Sequence, residues 1–191
     1  MARPKAFDPD TVLDHAMKTF WSKGFVATSV QDLVDSTGLG RGSLYHAFDN
    51  KEQLFREALR RYDSVWTGRQ EDMLAGPGTI HERIRTLLMT VVDEETTPGT
   101  PRGCLAVNAA MELSDHDPAV RELVREVFQR MEKALRASIE AAQRVGEVTA
   151  TDPAEDIALY VLNTMYGLRV LGKTASREAL AGIVEMALRA L

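Results

Sequence analysis

The side chains best suited to chemistry lie close together in the segment RGSLYH at residues 41–46. Arg41, Tyr45 and His46 carry a guanidinium, a phenol and an imidazole, all of which form hydrogen bonds. Gly42 and Ser43 are small enough to let another molecule approach the backbone closely. Hydrogen-bonding side chains of these types contact phosphates and base edges in nucleic acids. The segment therefore indicates a surface that reads nucleic acid.

Two short helices joined by a tight turn must position these side chains. Ser29 is placed to cap a helix that has Asp32 at its third position, and Gly38 ends that helix where a left-handed backbone is needed. In the second helix Leu44 and Phe48 lie four residues apart on the inner face, so the hydrogen-bonding residues point mainly outward. The pattern predicts a helix-turn-helix within residues 28–51.

A long and specific motif runs through this segment. It reads T-G-x-x-x-G-S-L-Y-x-x-F-x-x-K-E-x-L and is spelled by Thr37, Gly38, Gly42, Ser43, Leu44, Tyr45, Phe48, Lys51, Glu52 and Leu54. The motif, close to the N-terminus and preceded by an amphipathic helix, resembles the DNA-binding head of TetR-family repressors. A helical corner of the same shape that binds no nucleic acid is the alternative.

The resemblance, together with side-chain chemistry, implies a set of DNA contacts. Arg41 can reach a guanine edge or a phosphate, and Tyr45 and His46 can contact phosphates or thymine methyl groups. For these two residues, a half-buried phenol and a solvated imidazole are the alternatives. Arg3 and Lys5 are expected to form an N-terminal arm. The predicted contact residues are Thr28, Ser29, Arg41, Gly42, Ser43, Tyr45, His46 and Lys51.

The remaining pattern predicts an all-α fold of about nine helices. Asp-Pro pairs at 8–9, 117–118 and 152–153 are expected to start helices, with the aspartate as cap and the proline at the first helical position. A three-helix head is expected over residues 1–50, and an effector-binding and dimerisation body over 51–191, with a bridging helix at about 51–74. The apolar segment CLAVNAAMEL, Cys104–Leu113, is interpreted as a buried helix.

The helix predicted at 153–171 is apolar nearly all round, so it needs a partner on both sides. It could be the centre of a monomer. The resemblance implies instead that the last two helices form a two-fold dimer interface. The predicted interface residues are Ile157, Val161, Met165, Leu180, Ile183, Val184, Ala187 and Leu188.

Composition limits the partners and the location. The 191-residue chain has a net charge of −5, but residues 1–62 hold nine Lys/Arg against eight Asp/Glu and the remainder holds 14 against 20. The N-terminal region is therefore expected to bind DNA. Because this region is only weakly basic, specific contacts are expected to contribute more to the affinity than a broad positive field does. No apolar run is long enough to span a bilayer and no signal-peptide core is present, so a cytoplasmic location is expected.

Neither catalysis nor a cofactor is predicted. The motifs of nucleophile elbows, phosphate-binding loops, dinucleotide sites and zinc proteases are missing from the sequence, and the four histidines are scattered, so no metal site is expected. Glu94 and Glu95 are adjacent carboxylates at a helix end beside a loop, where a solvated role is expected. The chain is therefore predicted not to be an enzyme.

Cys104, the single cysteine, has two interpretations. Its apolar neighbours favour an inert buried thiol. It also begins a helix beside Arg102, and a helix N-terminus and a cation both favour the reactive thiolate. Some TetR-like repressors with a similar Gly-Cys-Leu segment respond to electrophiles or oxidants, so a sensor role is the alternative.

A mostly apolar effector pocket is expected in the body, because the resemblance implies a body that closes on a small molecule. Methionine and aromatic residues at helical spacing are more often plain core, and that alternative stays open. The predicted lining residues are Trp66, Met89, Cys104, Asn108, Met111, Glu112, Phe128, Met131, Tyr160, Asn163 and Tyr166.

The function predicted from these observations is ligand-responsive transcription regulation. The chain is expected to bind a palindromic DNA operator as a homodimer and to be released by a small, largely apolar effector. Repression is favoured over activation, which the sequence leaves open. The alternatives are a redox- or electrophile-sensing repressor acting through Cys104 and, in another class, a helical ligand carrier or enzyme with a vestigial helix-turn-helix.

Overall fold

The computed structural model describes residues 7–99, 103–148, 150–189 and 191. Within these residues the predicted all-α fold is confirmed, with ten α-helices and one π-helical segment. Their bounds are α1 Pro9–Lys23, α2 Val30–Thr37, α3 Arg41–Phe48, α4 Lys51–Tyr62, the π-helical segment Asp63–Thr67, α5 Gly68–Ala75, α6 Ile80–Thr96, α7 Leu105–Leu113, α8 Pro118–Arg144, α9 Ala154–Leu171 and α10 Arg177–Leu188. Because α4, the π-helical segment and α5 follow without a break, the described chain has nine helical runs, the predicted number.

Two of the three Asp-Pro pairs start helices as predicted. At 8–9 and 117–118 the aspartate carboxylate accepts N–H groups of the first turn, and the proline is the first helical residue. The third prediction is wrong by one residue, since α9 begins at Ala154. Pro153 has an extended backbone with ψ of 135° and occupies the cap position, where no side chain makes a capping hydrogen bond.

The chain divides into two compact units. Unit 1 comprises residues up to Val65 together with Leu105–Val124, and unit 2 comprises Trp66–Cys104 and Arg125–Leu191. Residues 51–65 and 105–124 thus belong to the same unit as the N-terminal helices. The division into a DNA-binding segment 1–50 and an effector-binding segment 51–191 concerns function and stays a prediction.

Unit 1 is built around an aromatic core. Helix α1 packs against α2, α4 and α7, and α3 packs against α2 and α4. The rings of Phe20 and Phe55 meet nearly at right angles with centroids 5.0 Å apart, and those of Trp21 and Tyr62 meet in the same way, also at 5.0 Å. Edge-to-face aromatic pairs stabilise beyond their buried area. This core fixes α1 and α4 around the two short helices.

Helix α7 is buried along one face only. Leu105, Ala106 and Ala109 are buried, whereas Met111 is 84% exposed. The interpretation of Cys104–Leu113 as a fully buried helix is therefore wrong on one side. Helix α7 packs on α1 and α4, so only the side that faces these helices is covered. Its other side stays partly exposed although the sequence is apolar there as well.

Unit 2 has an aliphatic core. Helix α6 packs against α5, α9 and α10, and α9 packs against α10. Residues such as Ile84, Leu135, Leu168 and Val184 are fully buried in one continuous cluster. Among the described residues no helix combines the length and the apolar character that crossing a membrane requires. The same residues contain no group of three or more side chains suited to a metal ion.

Candidate nucleic-acid interface, ligand cleft and apolar face

Local hydrogen bonds hold the helix-turn-helix in shape. The Ser29 hydroxyl accepts the Asp32 backbone N–H at 3.1 Å, and the Asp32 carboxylate accepts the Ser29 N–H at 2.8 Å. This reciprocal arrangement satisfies donors that a helix start would leave unpaired. Gly38 follows α2 with φ of 71° and donates its N–H to the Val34 carbonyl. The predicted cap and the predicted glycine stop are confirmed.

A cation from α1 reinforces the cap of α2. The Lys23 ammonium donates a hydrogen bond to the Asp32 carboxylate, and the Ser29 backbone N–H and hydroxyl donate to it as well. These bonds, led by that from Lys23, hold the pKa of the Asp32 carboxyl well below its ordinary value. Lys23 was not predicted at this site, because only the packing of α1 on α2 brings it to Asp32.

Helix α3 presents a polar outer face. Leu44 and Phe48 are buried on its inner side. Tyr45 is half-buried, and the guanidinium carbon of Arg41 lies 5.9 Å from the centroid of its ring. The exposed residues of the outer face are Arg41, Gly42, Ser43 and His46. Together with Tyr45 and with Lys51 at the start of α4, they are called the recognition surface below.

Two residues predicted to contact DNA form side-chain hydrogen bonds within the protein instead. Thr28 is buried, and its hydroxyl donates to the Gly24 carbonyl at 2.5 Å, which contradicts a phosphate contact through this side chain. Ser29 is exposed, but its hydroxyl donates to the Asp32 carboxylate at 2.7 Å as part of the cap. Both residues therefore shape α2 and the turn before it. Arg3 and Lys5, the predicted arm, lie outside the described residues.

Lys51 is the first residue of α4. Asn50 caps this helix, its side-chain oxygen accepting the Gln53 N–H at 2.7 Å. The Lys51 ammonium lies 4.3 Å from the centroid of the Phe25 ring. Phe25 was not predicted at this surface, since the residues around it give no signal of a contact with a lysine 26 positions later.

A carboxylate from α7 holds the turn between α1 and α2. Glu112 accepts the Val26 N–H at 3.1 Å. Gly24 in the same turn has φ of 80°, and a Cβ at this position would lie 2.3 Å from a Glu112 carboxylate oxygen. The turn therefore requires glycine. Glu112 thus has a structural role in this turn, and its place in an effector pocket stays a prediction.

Unit 2 contains a cleft lined by the π-helical segment, α5, α6 and α9. Its interior cavity is small, about 30 Å³, so a ligand larger than a few atoms requires the lining side chains to move apart. The guanidinium carbon of Arg69 lies 5.1 Å from the centroid of the Trp66 ring at this cleft. The lining residues are Trp66, Arg69, Gln70, Met73, Leu87, Thr90, Val91, Glu94 and Arg169. The cleft thus combines an apolar wall with a small number of polar groups, as ligand sites do.

The predicted effector residues do not form one site. Trp66 lines the cleft, whereas Met131 is buried in the core of unit 2 and Met89 packs against that core. Phe128 and Tyr166 form a ring pair with centroids 4.7 Å apart. For Met89 and Met131, the alternative of plain core is the one that the structure favours.

Four further effector residues lie elsewhere. Met111, Tyr160 and Asn163 are exposed at the surface and do not line the cleft of unit 2, so their place in an effector pocket stays a prediction. Asn108 is half-buried on α7 in unit 1. Helical periodicity indicated that these residues share faces, but it did not indicate which face is covered.

Cys104 is 5% exposed and comes directly before α7. This burial favours the interpretation as an inert thiol, because a reagent has little access to the sulfur. Arg102, the cation invoked for a reactive thiolate, lies outside the described residues. The sensor role stays a prediction.

The predicted dimer residues are mostly internal. All except the half-buried Ile183 are buried within unit 2, so they cannot be the surface that meets another chain. The exposed large hydrophobic residues of α9 and α10 are Leu159, Tyr160, Val170, Leu171 and Met186. These five residues are called the apolar face below. Burial thus contradicts the predicted interface side chains, since both sides of α9 are apolar, and the assignment of α9 and α10 to an interface stays a prediction.

A charged cluster is buried in unit 2. The Arg169 side chain, 4% exposed, donates to Glu95 at 3.0 Å and pairs with Glu94 at 2.6 Å. Glu95 is itself buried, so the expectation that it is solvated is wrong. A Cβ at Gly172 would lie 2.5 Å from the Glu95 Cβ, which explains the glycine after α9.

Comparison with known proteins covers both halves of the chain. Residues 12–58 match the family described as "Bacterial regulatory proteins, tetR family", and residues 81–187 match "Tetracyclin repressor-like, C-terminal domain". The chain is 31% identical to the HTH-type transcriptional repressor ComR of Escherichia coli (strain K12), over 98% of this chain and 90% of that protein. It is 29% identical to the uncharacterized HTH-type transcriptional regulator YezE of Bacillus subtilis (strain 168), over 100% of both.

Solved structures agree with these matches. The TetR family transcriptional regulator CifR, as a cysteine mutant complexed with 26bp double-strand operator DNA, superposes with a TM-score of 0.87 at 35% identity. The superposition covers 98% of this chain and 99% of CifR. The helix-turn-helix with its polar outer face, together with these matches, defines a DNA-binding transcriptional regulator. The chain belongs to the TetR family.

Proposed function

We propose that this regulator is a homodimeric repressor that binds a palindromic operator through its recognition surface and is released by a small, mostly apolar effector. The observation that carries the proposal is the polar outer face of α3. Arg41 and His46 are exposed on this face, while Leu44 and Phe48 of the same helix are buried. A helix of this kind is suited to the major groove, where side chains read base edges.

Operator recognition is supported by the chemistry of the surface. Arg41 supplies a planar guanidinium suited to a guanine edge, and Gly42 has open space around it, so the helix can approach the groove closely. Lys51 lies at the start of α4, where helix N-termini bind phosphate. The similar regulator CifR is complexed with a 26bp operator, a length that accommodates two half-sites.

Dimerisation is supported by the apolar face. Leu159 and Tyr160 near the start of α9 lie on the same side of the helix as Val170 and Leu171 near its end, and all four are exposed. Large exposed apolar surfaces usually mark protein interfaces. In a two-fold symmetric dimer, each chain would cover the apolar face of the other. The two recognition surfaces of the dimer would then bind the two halves of a palindromic operator.

Effector binding is assigned to the cleft at Trp66. A ligand that binds more tightly to the conformation unable to bind DNA lowers the affinity for the operator. By thermodynamic linkage, the operator lowers the affinity for the ligand by the same factor. The aromatic ring and the side chains of Met73, Leu87 and Val91 provide an apolar wall. The neighbouring Arg69, Thr90 and Glu94 provide polar groups that would orient the ligand.

The DNA-binding step is tested by selecting bound genomic fragments and measuring affinity for the recovered operator. Tyr45→Ala and Lys51→Ala are expected to lose most operator affinity while keeping the far-ultraviolet circular dichroism of the parent. Lys133→Ala, which removes an exposed lysine of α8, is the matched control and should bind normally. Unchanged affinity in both recognition-surface variants would contradict the proposed contacts.

The effector step is tested through tryptophan fluorescence. The chain has two tryptophans, and Trp21→Phe leaves Trp66 as the only reporter. Compounds that change this fluorescence should also release operator DNA in a gel shift, with the same concentration dependence. A compound that releases DNA without changing Trp66 fluorescence would place the effector away from the cleft.

A thiol-based effector response remains the second candidate, and the position of Cys104 directly before α7 favours it. Alkylation of the protein should then release operator DNA, and Cys104→Ser should abolish the response. Full retention of DNA binding by the alkylated protein would exclude this candidate.

Two coarser alternatives have direct tests. If the chain were a ligand carrier or an enzyme with a vestigial helix-turn-helix, no sequence-selective DNA complex would form at moderate salt. Repression and activation are separated by a reporter gene placed behind the recovered operator. Repression predicts that deleting the regulator raises reporter expression.

A further inference from the structure

Lys51 has an electrostatically unfavourable position that needs an explanation. It is the first residue of α4, and a positive charge at a helix N-terminus is opposed by the helix dipole. Within the described part of the chain no carboxylate lies within ion-pair distance of its ammonium. Its charge is therefore not neutralised by these residues, and its position must be held by another contact.

The Phe25 ring supplies that contact. The ammonium lies 4.3 Å from the ring centroid, within the distance at which a cation is attracted by the face of an aromatic ring. Phe25 comes from the turn between α1 and α2, so the contact joins that turn to the start of α4. The ring thus limits the conformations of a side chain that is otherwise long and flexible.

The Phe25 ring is itself held by the core of unit 1. Its centroid lies 6.2 Å from that of Phe20 in a stacked arrangement and 5.1 Å from that of Phe55 in an edge-on arrangement. Phe20 and Phe55 are fully buried. Because two core residues hold the Phe25 ring in place, the ring in turn restricts the rotamers that the Lys51 side chain adopts.

The start of α4 is suited to a DNA phosphate. Because the Asn50 side chain accepts the Gln53 N–H, the N–H groups of Lys51 and Glu52 remain available at the helix end. We propose that Phe25 is a positioning residue for DNA binding, holding the Lys51 ammonium beside these N–H groups so that together they bind one backbone phosphate of the operator. This inference rests on the proposed function.

The test is a double-mutant cycle on operator affinity with Phe25→Leu, Lys51→Gln and the double variant. Lys51→Gln is expected to weaken binding about 10-fold and to reduce the slope of log K against log salt by about one. Phe25→Leu is expected to weaken binding several-fold, on the order of 3-fold or more. In a protein that already carries Lys51→Gln, the Phe25→Leu substitution should cause no further loss of operator affinity, because Phe25 acts through the Lys51 ammonium.

A second variant separates ring electrostatics from packing. Replacing Phe25 by 3,4,5-trifluorophenylalanine keeps the shape of the ring and removes most of the negative charge of its face. The expected result is the same loss of affinity as in Phe25→Leu, with an unchanged thermal unfolding midpoint. Phe25→Tyr, which keeps an electron-rich ring, should bind like the parent.

Three results would overturn the inference. Parental affinity in the trifluoro variant would exclude the cation–ring contact. An equal loss from Phe25→Leu with and without Lys51 would show that Phe25 acts only on the fold. A parent protein that binds no selected operator would reject the proposed function itself, and that outcome is distinct from the first two, in which the parent binds.

Discussion

The recognition surface and the apolar face are both exposed, but their chemistry is opposite. On α3 the buried side chains are Leu44 and Phe48, and the exposed ones are polar. On α9 a charged residue, Arg169, is buried, and Leu159 and Val170 are exposed. A polar exposed surface is stable in water and is suited to binding a polar ligand. An apolar exposed surface is costly in water, so it favours the dimer that we propose.

The two regions also differ in how they are held. The recognition surface depends on local features, namely the capping box at Ser29 and the left-handed Gly38. The apolar face lies on a helix fastened from inside by the Arg169 cluster with Glu94 and Glu95, more than 70 residues away in sequence. Local features are visible in a sequence and long-range ones are not.

The largest effect is expected from a charge in the apolar face. Tyr160→Asp should convert the dimer to a monomer and weaken operator binding by about 100-fold or more, because a carboxylate would be buried without a partner and the second half-site contact would be lost. Light scattering after size exclusion measures the mass, and a gel shift measures binding. Val145→Asp alters an even more exposed apolar residue, directly after α8, and should remain dimeric. A dimeric Tyr160→Asp protein would place the interface elsewhere.

The buried charge cluster should dominate the stability of unit 2. Arg169→Ala is expected to lower the free energy of unfolding by about 3–5 kcal/mol, since Glu95 would remain buried without its partner. The exposed pair of Arg177 and Asp93 provides the control, and Arg177→Ala should cost less than about 1 kcal/mol. Denaturant titrations of both variants measure the difference. Equal losses would mean that burial does not distinguish the two pairs.

A single base contact should have a smaller effect. Arg41→Ala is expected to weaken operator binding by about 1–3 kcal/mol and to relax the preference at one base position. Arg144→Ala, at the end of α8, removes the same charge outside the recognition surface and should bind like the parent. Affinities for operators with each base exchanged provide the measurement. A uniform loss at all positions would assign Arg41 to a phosphate instead.

The smallest effect concerns the pH dependence of the α2 cap. The hydrogen bond from Lys23 lowers the pKa of the Asp32 carboxyl, so the folded state favours the ionised form. The resulting stabilisation is complete above the ordinary aspartate pKa of 3.8 and is lost as the pH falls towards the lower folded-state value. Asp32→Asn should therefore have a lower Tm than the parent at neutral pH, with the difference shrinking below about pH 4. A difference that stays constant down to pH 2 would contradict this assignment.

Much of unit 1 was predictable because its signals are local. The Ser29 cap, the Gly38 stop and the outward direction of Arg41 and His46 all follow from spacing within a few residues. One exception is Thr28, whose hydroxyl donates to the Gly24 carbonyl. Nothing in the neighbouring sequence indicates that this side chain is buried.

Unit 2 was predictable in its helices and not in their orientation. The nearly continuous apolar pattern of α9 indicated two covered sides, but both sides offer similar residues to a core. The family resemblance therefore placed Val161 and Met165 at a dimer interface, although both are buried within the same chain. Tyr160 and Asn163 were assigned to a pocket, although they are exposed.

By itself the sequence determined the all-helical class, most of the helix starts and the chemistry of α3, because capping residues, glycines and hydrophobic spacing act over a few residues. The tertiary structure alone decided which face of α9 is exposed, that Glu95 is buried against Arg169, and that Phe25 lies beside Lys51. These features depend on contacts between residues far apart in the chain. Such contacts arise when helices pack, and no pattern along the chain encodes them separately.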